Sequence, residues 1–257
     1  MRTFSDWCGQ QLQRLGRLTT LCLLILVLSW TLPATAANRI SPRLEENVLQ
    51  IIRQHPEAIL ESLQAYQQQQ QQVVQQIRQV FLQDLKTNPQ AVIGESPTTG
   101  ATSAKIVLVE FSDYQCPYCA EAHKNLKQIL AKNPDKFTLV YKHFPLASIH
   151  NQAIPAAKAA WAAQQQGKFW EYHDALFTNQ NKLGEDFYQE IAKNLNLDLP
   201  KFEQDRNNAE AAIRKDLQLA ESLRLSGTPF FVLNSENFSG AVQLADLEKI
   251  FSQNATK

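Results

Sequence analysis

Apolar residues are distributed along this chain in distinct patterns, and each predicts a different kind of element. Residues 18–32 (LTTLCLLILVLSWTL) form a nearly unbroken apolar run. Further on, Leu49, Ile52, Ile59, Leu63, Tyr66, Val73, Ile77 and Val80 recur on alternating steps of three and four, with Pro56 and Gln70 in the two remaining slots. That spacing predicts a long helical arm with an a/d seam. Ser41 and Pro42 suit an N-cap and first helical position, and His55-Pro56-Glu57 marks a second start. Asn88-Pro89 and the stretch 94–100 (GESPTTG) break the pattern. Short runs rich in valine, isoleucine and phenylalanine follow at 105–111 (KIVLVEF), 137–144 (FTLVYKHF) and 230–233 (FFVL), with a further strand beginning at Phe238. Helical patterning extends from Pro117 to Leu130, fills about 151–225, and returns at 244–251. The order β-α-β, helical block, β-β-α predicts an α/β sheet domain interrupted by a helical insertion.

Composition changes this picture at both ends of the arm. Of the 20 residues over 64–83, 11 are Gln, within a total of 29 Gln in 257 residues. Glutamine is a fair helix former, so the arm is predicted to be an exposed helix whose apolar stripe needs another helix to cover it. An oligomerising stalk through residues 44–85 is the expectation. An arm packed on its own domain and a low-complexity linker are the alternatives. Upstream, Arg2, Arg14 and Arg17 precede the apolar run, and Ala34-Thr35-Ala36 follows it. Those are the three parts of a secretory signal peptide, cut after Ala36. The run is short of the ~20 residues that span a bilayer, which argues against an uncleaved anchor.

Lys+Arg and Asp+Glu both number 25, so nucleic acid is not an expected partner. Removing residues 1–36 removes Cys8 and Cys22, and Cys116 and Cys119 remain as one pair. In an exporting compartment such a pair can persist as a disulfide. The domain boundaries read as 1–36 signal peptide, 37–87 arm, 88–104 linker and first short strand, and 105–257 sheet domain with its insertion at about 147–225.

The pair sits in Cys116-Pro117-Tyr118-Cys119, directly after a strand and at the start of a helix. Unpaired amides and the helix dipole there favour a thiolate at Cys116, and Pro117 suits the first helical position. Cys119 lies one turn on, on the same face. A thiolate in that place attacks a disulfide, and the second thiol resolves the mixed disulfide. A structural disulfide bridging residues three apart would constrain little of the unfolded chain. A zinc site could draw on Cys116, Cys119 and His123, but a closed site needs a fourth ligand that nothing nearby supplies. His123 is read as an exposed helix residue.

VEFSDYQCPYC, KHFPL, the alanine-rich helix followed by GKFWEYHDALF, and Gly227-Thr228-Pro229 before a strand together resemble the DsbA-like branch of the thioredoxin superfamily. The resemblance covers residues 105–251. It implies a thioredoxin-like sheet with an inserted helical domain, with Cys116 as nucleophile and Cys119 as resolving thiol. It also implies a cis bond before Pro229, which would pack against the active-site pair as part of the catalytic set, backbone contacts from Thr228 to the substrate chain, and Pro117 and Tyr118 at the substrate surface. Glu110, six residues before Cys116, matches the family's buried acid, a proton acceptor for Cys119 if burial raises its pKa. A Glu110 facing solvent on an edge strand is the alternative, and Lys142 is read as its partner. No metal or cofactor is implied.

The dipeptide Pro117-Tyr118 stands where strongly oxidising members carry a histidine, so a less oxidising pair is expected. HPEAILESLQAYQQQQQQ is similar to the arm of the exported suppressor-of-copper-sensitivity C proteins, some of which oligomerise and act as disulfide isomerases. The combined expectation is a periplasmic or otherwise extracytoplasmic oxidoreductase. Its partners would be reduced or misoxidised exported clients and a membrane redox partner, a quinone-linked oxidase or a reductase. The direction, oxidase or isomerase, is left open. A non-catalytic oligomeric scaffold using the domain for docking is the competing class.

Overall fold

The computed structural model describes residues 41–101 and 105–234. The signal segment, the strand from Phe238 and the helix over 244–251 lie outside the described residues. By compactness the chain divides into two units, Met1–Tyr66 and Gln67–Lys257.

In the first unit, α1 (Pro42–Gln54) starts where expected: the Ser41 side chain accepts from the Leu44 backbone N–H at 3.2 Å, and Pro42 stands in the first turn. It stops at His55 because Pro56 disfavours helical backbone in the residue before it. Pro56 then opens α2 (Pro56–Thr87), 32 residues in one helix. Every α1 residue is exposed, and Leu49, Ile52, Ile59, Leu63 and Tyr66 of the seam have no cover among the described residues.

The second unit contains the sheet. Its strands β1 (Thr98–Gly100), β2 (Ile106–Ser112), β3 (Phe137–His143) and β4 (Phe230–Leu233) lie in the order β1-β3-β2-β4. β2 and β3 are parallel, joined by α4 (Pro117–Lys132), while β1 and β4 run antiparallel to their neighbours. A crossover helix between adjacent parallel strands is what this pairing requires. α3 (Pro89–Ile93) occupies part of the stretch read as a break. Gly100 has φ of +86°, and a side chain there would collide with the Phe137 carbonyl oxygen. Between β3 and β4 the expected helical insertion comprises α5 (Ala153–Gln164), α6 (Phe169–Thr178), a 3-10 turn (Gln180–Lys182), α7 (Glu185–Asn194), α8 (Leu199–Asn208) and α9 (Glu210–Ser222). Seven alanines of α5 are buried, and this helix packs against α6, α7, α8 and α9.

All seven residues of β2 and of β3 are buried, so neither strand shows the alternation of a half-exposed sheet. Alternation still sorts their side chains between two cores. Val107, Val109, Phe111, Val140 and Val232 meet Phe81 and Leu85 of α2 and Ala220 and Leu223 at the end of α9. Ile106, Leu108, Leu139, Phe231 and Leu233 meet α4 on the other face. The last turns of α2 are therefore core, fixed further by Arg78, which donates to the Leu223 carbonyl at 3.0 Å and the Arg224 carbonyl at 3.3 Å. The seam frame fails here. Val80, read as a seam position, is exposed, while the buried residues Phe81 and Leu85 continue from Ile77 in steps of four.

Candidate active site

Three segments converge at the C-terminal end of β2. The first is the loop from Asp113 into α4. The Asp113 carboxylate, buried, accepts from the backbone N–H of Gln115 at 2.8 Å and of Leu146 at 2.9 Å, and its Oδ2 lies 2.7 Å from His150 Nδ1. One side chain thus ties this loop to the segment after β3. Gln180 donates to the Tyr114 and Cys116 carbonyls at 2.7 and 2.9 Å, so the loop's acceptors are met from the helical insertion.

Cys116 holds the N-cap position of α4 and Pro117 its first turn. No side chain caps this helix N-terminus, which leaves the Cys116 sulfur in the positive end of the helix dipole. The Thr228-Pro229 peptide bond is cis, and the Thr228 carbonyl accepts from the Cys116 thiol at 3.4 Å. The cis bond expected from the resemblance is thus present in the structure. Tyr118 is 71% exposed, whereas Cys116 is 4% exposed and Cys119 fully buried. Both cysteines are free thiols.

The two sulfurs sit in opposed environments. A hydrogen bond from the Cys119 thiol is the largest influence pulling the Cys116 pKa down, against the effect of burial, and Thr228 and the backbone amides of Cys119 and Tyr118 add to it. Burial pushes Cys119 up, and its bond to Cys116 adds to that, beyond anything the nearby hydroxyls of Ser112 and Thr228 recover. A thiolate in this pair therefore rests on Cys116.

Glu110 is 1% exposed on β2, a strand flanked on both sides, so it is no edge residue. Burial raises its pKa to about 7, a rise that the Ser112 hydroxyl partly offsets. The reading of Lys142 as its partner is overturned by register. Glu110 lies opposite Tyr141, which puts Lys142 beside Phe111 on the other face, where its Nζ is 3.4 Å from Asp216. Glu110 instead interacts with Tyr141 and Tyr114, whose own pKa values are raised by their burial first and by the Glu110 charge as well. His123 is corrected too. It is largely buried, with Nε2 2.9 Å from Asp174 of α6 and its ring against His173 and Phe177. Among the described residues no cluster is fit to hold a metal ion.

Sequence reasoning did not single out Ser112, Asp113, His150 or Gln180. Asp113 alone carried a local signal, an aspartate two residues ahead of a backbone N–H at a helix entry.

The family model for thioredoxin matches residues 92–253, more than half of the chain, and the chain belongs to that family. Within it, the resemblance to DsbA-like and ScsC-type proteins holds. A thioredoxin-like oxidoreductase from Silicibacter pomeroyi DSS-3 is 29% identical with a TM-score of 0.58, the match covering 66% of this chain and 99% of that one. ScsC of Proteus mirabilis, in a transitional conformation, is 26% identical with a TM-score of 0.56, over 86% of this chain and 98% of that one. Among curated proteins, an Na(+)/H(+) antiporter NhaA 3 from Salinispora tropica is 35% identical over 151 residues, 58% of this chain and 23% of the antiporter. The chain spans about a quarter of the length of the curated relatives it matches. Among the described residues, no helix is long and apolar enough to cross a membrane.

Proposed function

We propose that this chain is an exported protein thiol-disulfide oxidoreductase in which Cys116 attacks and Cys119 resolves. The observation that carries the reading is the opposition of the two sulfurs, one at an uncapped helix N-terminus against the Thr228 carbonyl, the other sealed beneath it. Reducing a client disulfide, the Cys116 thiolate forms a mixed disulfide, and Cys119 then displaces the client thiol. Oxidising a client runs the same steps backward. Thr228, Pro117 and the exposed Tyr118 are assigned to the client-binding surface, Pro229 to packing against the cysteine pair, and Glu110 to proton exchange with Cys119. Export is supported by the basic and apolar character of residues 1–36 together with a cysteine pair suited to an oxidising compartment. The bare apolar seam of α1 and the outer part of α2 supports self-association.

Refolding of a reduced, scrambled substrate tests the activity. Cys116→Ser is expected to abolish it and Cys119→Ser to accumulate mixed disulfides with clients. Undiminished activity in Cys116→Ser would overturn the reading and favour a docking scaffold. Trapping the pair with an alkylating agent in cells reads the direction: mostly disulfide for an oxidase, mostly thiol for an isomerase.

A further inference from the structure

Two buried polar groups on β2 have no hydrogen-bond partner of ordinary geometry among the described residues: Glu110 Oε1 and Ser112 Oγ. Leaving such a group unpaired is costly, so a pair of them two residues apart calls for a use. Positions 110 and 112 share one face of β2, and that is the face toward α4 and Cys119. The Ser112 hydroxyl stands on that face between the acid two residues before it and the helix that carries Cys119, and it acts to lower the pKa of both Glu110 and Cys119. Its backbone is held in place, since its carbonyl accepts from the Phe144 N–H at 2.9 Å and from the Tyr141 hydroxyl at 3.4 Å. Glu110 in turn lines a cavity of about 230 Å3 whose other walls include Leu126, Trp170, His123, Lys127 and Asp174. Lys127 and Asp174 are solvent-accessible, 63% and 38% exposed in their side chains, so the cavity leads outward from the carboxyl. It has room and polar partners for water.

Resting on the oxidoreductase reading, we propose that Ser112 relays the proton between Cys119 and Glu110, and that this cavity connects Glu110 to solvent. During resolution the Cys119 S–H bond breaks. Its proton passes to the Ser112 oxygen as the Ser112 proton moves to the Glu110 carboxylate. The freed electron pair of Cys119 attacks the Cys116 sulfur, the Cys119–Cys116 disulfide forms, and the bond to the client sulfur breaks. The client sulfur leaves as a thiolate with the electron pair of the broken Cys116–client bond and is reduced as the protein's dithiol is oxidised. The proton on Glu110 then leaves through the cavity. When clients are oxidised the relay delivers a proton to the departing Cys119 thiolate. Tyr141 of β3 and Tyr114 of the active-site loop also face Glu110. His123 and Lys127 from α4, and Glu171, His173 and Asp174 from α6, share its cavity.

The test uses the full-length reduced protein with oxidised glutathione as the disulfide, following resolution of the glutathione adduct by quenched-flow mass spectrometry from pH 5 to 9. Wild type is expected to show an inflection near the Glu110 value of about 7. Ser112→Ala is expected to slow resolution about tenfold or more, the lower part of what general acid–base help supplies, and to remove that inflection. Ser112→Thr, which keeps the hydroxyl, should stay within about threefold of wild type. Iodoacetamide alkylation of Cys116 should be equal in all three. A wild-type rate and inflection in Ser112→Ala overturns the relay, as does equal slowing in both variants or altered Cys116 alkylation, either of which marks packing. Loss of the inflection in Glu110→Gln but not in Ser112→Ala removes Ser112 alone. Failure of wild type to form any adduct removes the oxidoreductase reading beneath it.

Discussion

The two faces of β2 differ in kind although both are buried. One face, Val107, Val109 and Phe111, closes against the root of α2 and the end of α9, with the Lys142–Asp216 pair at its margin. The other carries Ile106 and Leu108, then Glu110 and Ser112, the second of which acts on Cys119. The same seven-residue strand thus serves as adhesive on one side and as a site wall on the other. An apolar interior tolerates a carboxylate only at a cost; Asp216 on the first face has Lys142 as a cationic partner, whereas the raised acid Glu110 sits on the face of the cysteine pair, which separates packing from chemistry.

The largest test of that contrast is Phe81→Ala on the apolar face, expected to lower unfolding stability by about 3–5 kcal/mol in urea denaturation because it empties a filled core. A loss below about 1 kcal/mol would mean that the α2 root is an attachment rather than part of the domain core. Glu110→Gln probes the other face with the opposite sign. The folded pKa is raised from 4.5 to about 7, so the fold holds a proton that the unfolded chain has released. Stability therefore falls as pH rises through that window, by about 3 kcal/mol in all. Replacing the acid should remove the fall, leaving the variant more stable relative to wild type at pH 8 than at pH 4. Equal urea midpoint differences at the two pH values would reject the buried-acid assignment.

Arg78→Ala is expected to cost about 1.5 kcal/mol, the lower end for a charged donor because the bond is only partly buried. A loss matching Phe81→Ala would shift the credit for fixing the root from apolar packing to these two bonds. Leu63→Ala, on the bare seam, should change domain unfolding by less than about 0.5 kcal/mol while lowering the mass seen by light scattering. Truncation for that measurement should stop at Tyr66, since removing residues up to 87 would also take Phe81 and Leu85 out of the core.

The parts legible in the sequence were those whose cause is local. Ser41-Pro42 as a helix entry, the β-branched strands, and Cys116-Pro117 at a strand-to-helix junction depend on residues a few positions apart. Lys142 was assigned to Glu110 because its face depends on the β2–β3 register, which neither strand states alone when both are wholly buried. His123 read as exposed because its cover, Asp174 and Phe177, comes from α6 some fifty residues on. The arm's frame slipped at Val80 for a similar reason. Spacing reports that a stripe exists, while the partner that selects Phe81 and Leu85 lies in the sheet and α9. Ser112 carried no signal, since a serine at a strand end is ordinary until an unpaired acid and a sulfur are found on the same side.

The alanines of α5 set a limit on how this scaffold can vary. With seven methyl side chains buried against four other helices, α5 acts as a spacer whose thickness is the backbone itself. A larger residue there would push α6 outward. Because α6 carries His173 and Asp174, the walls of the Glu110 cavity would move with it. The width of the proposed proton exit is therefore encoded in a helix that contributes no atom to it.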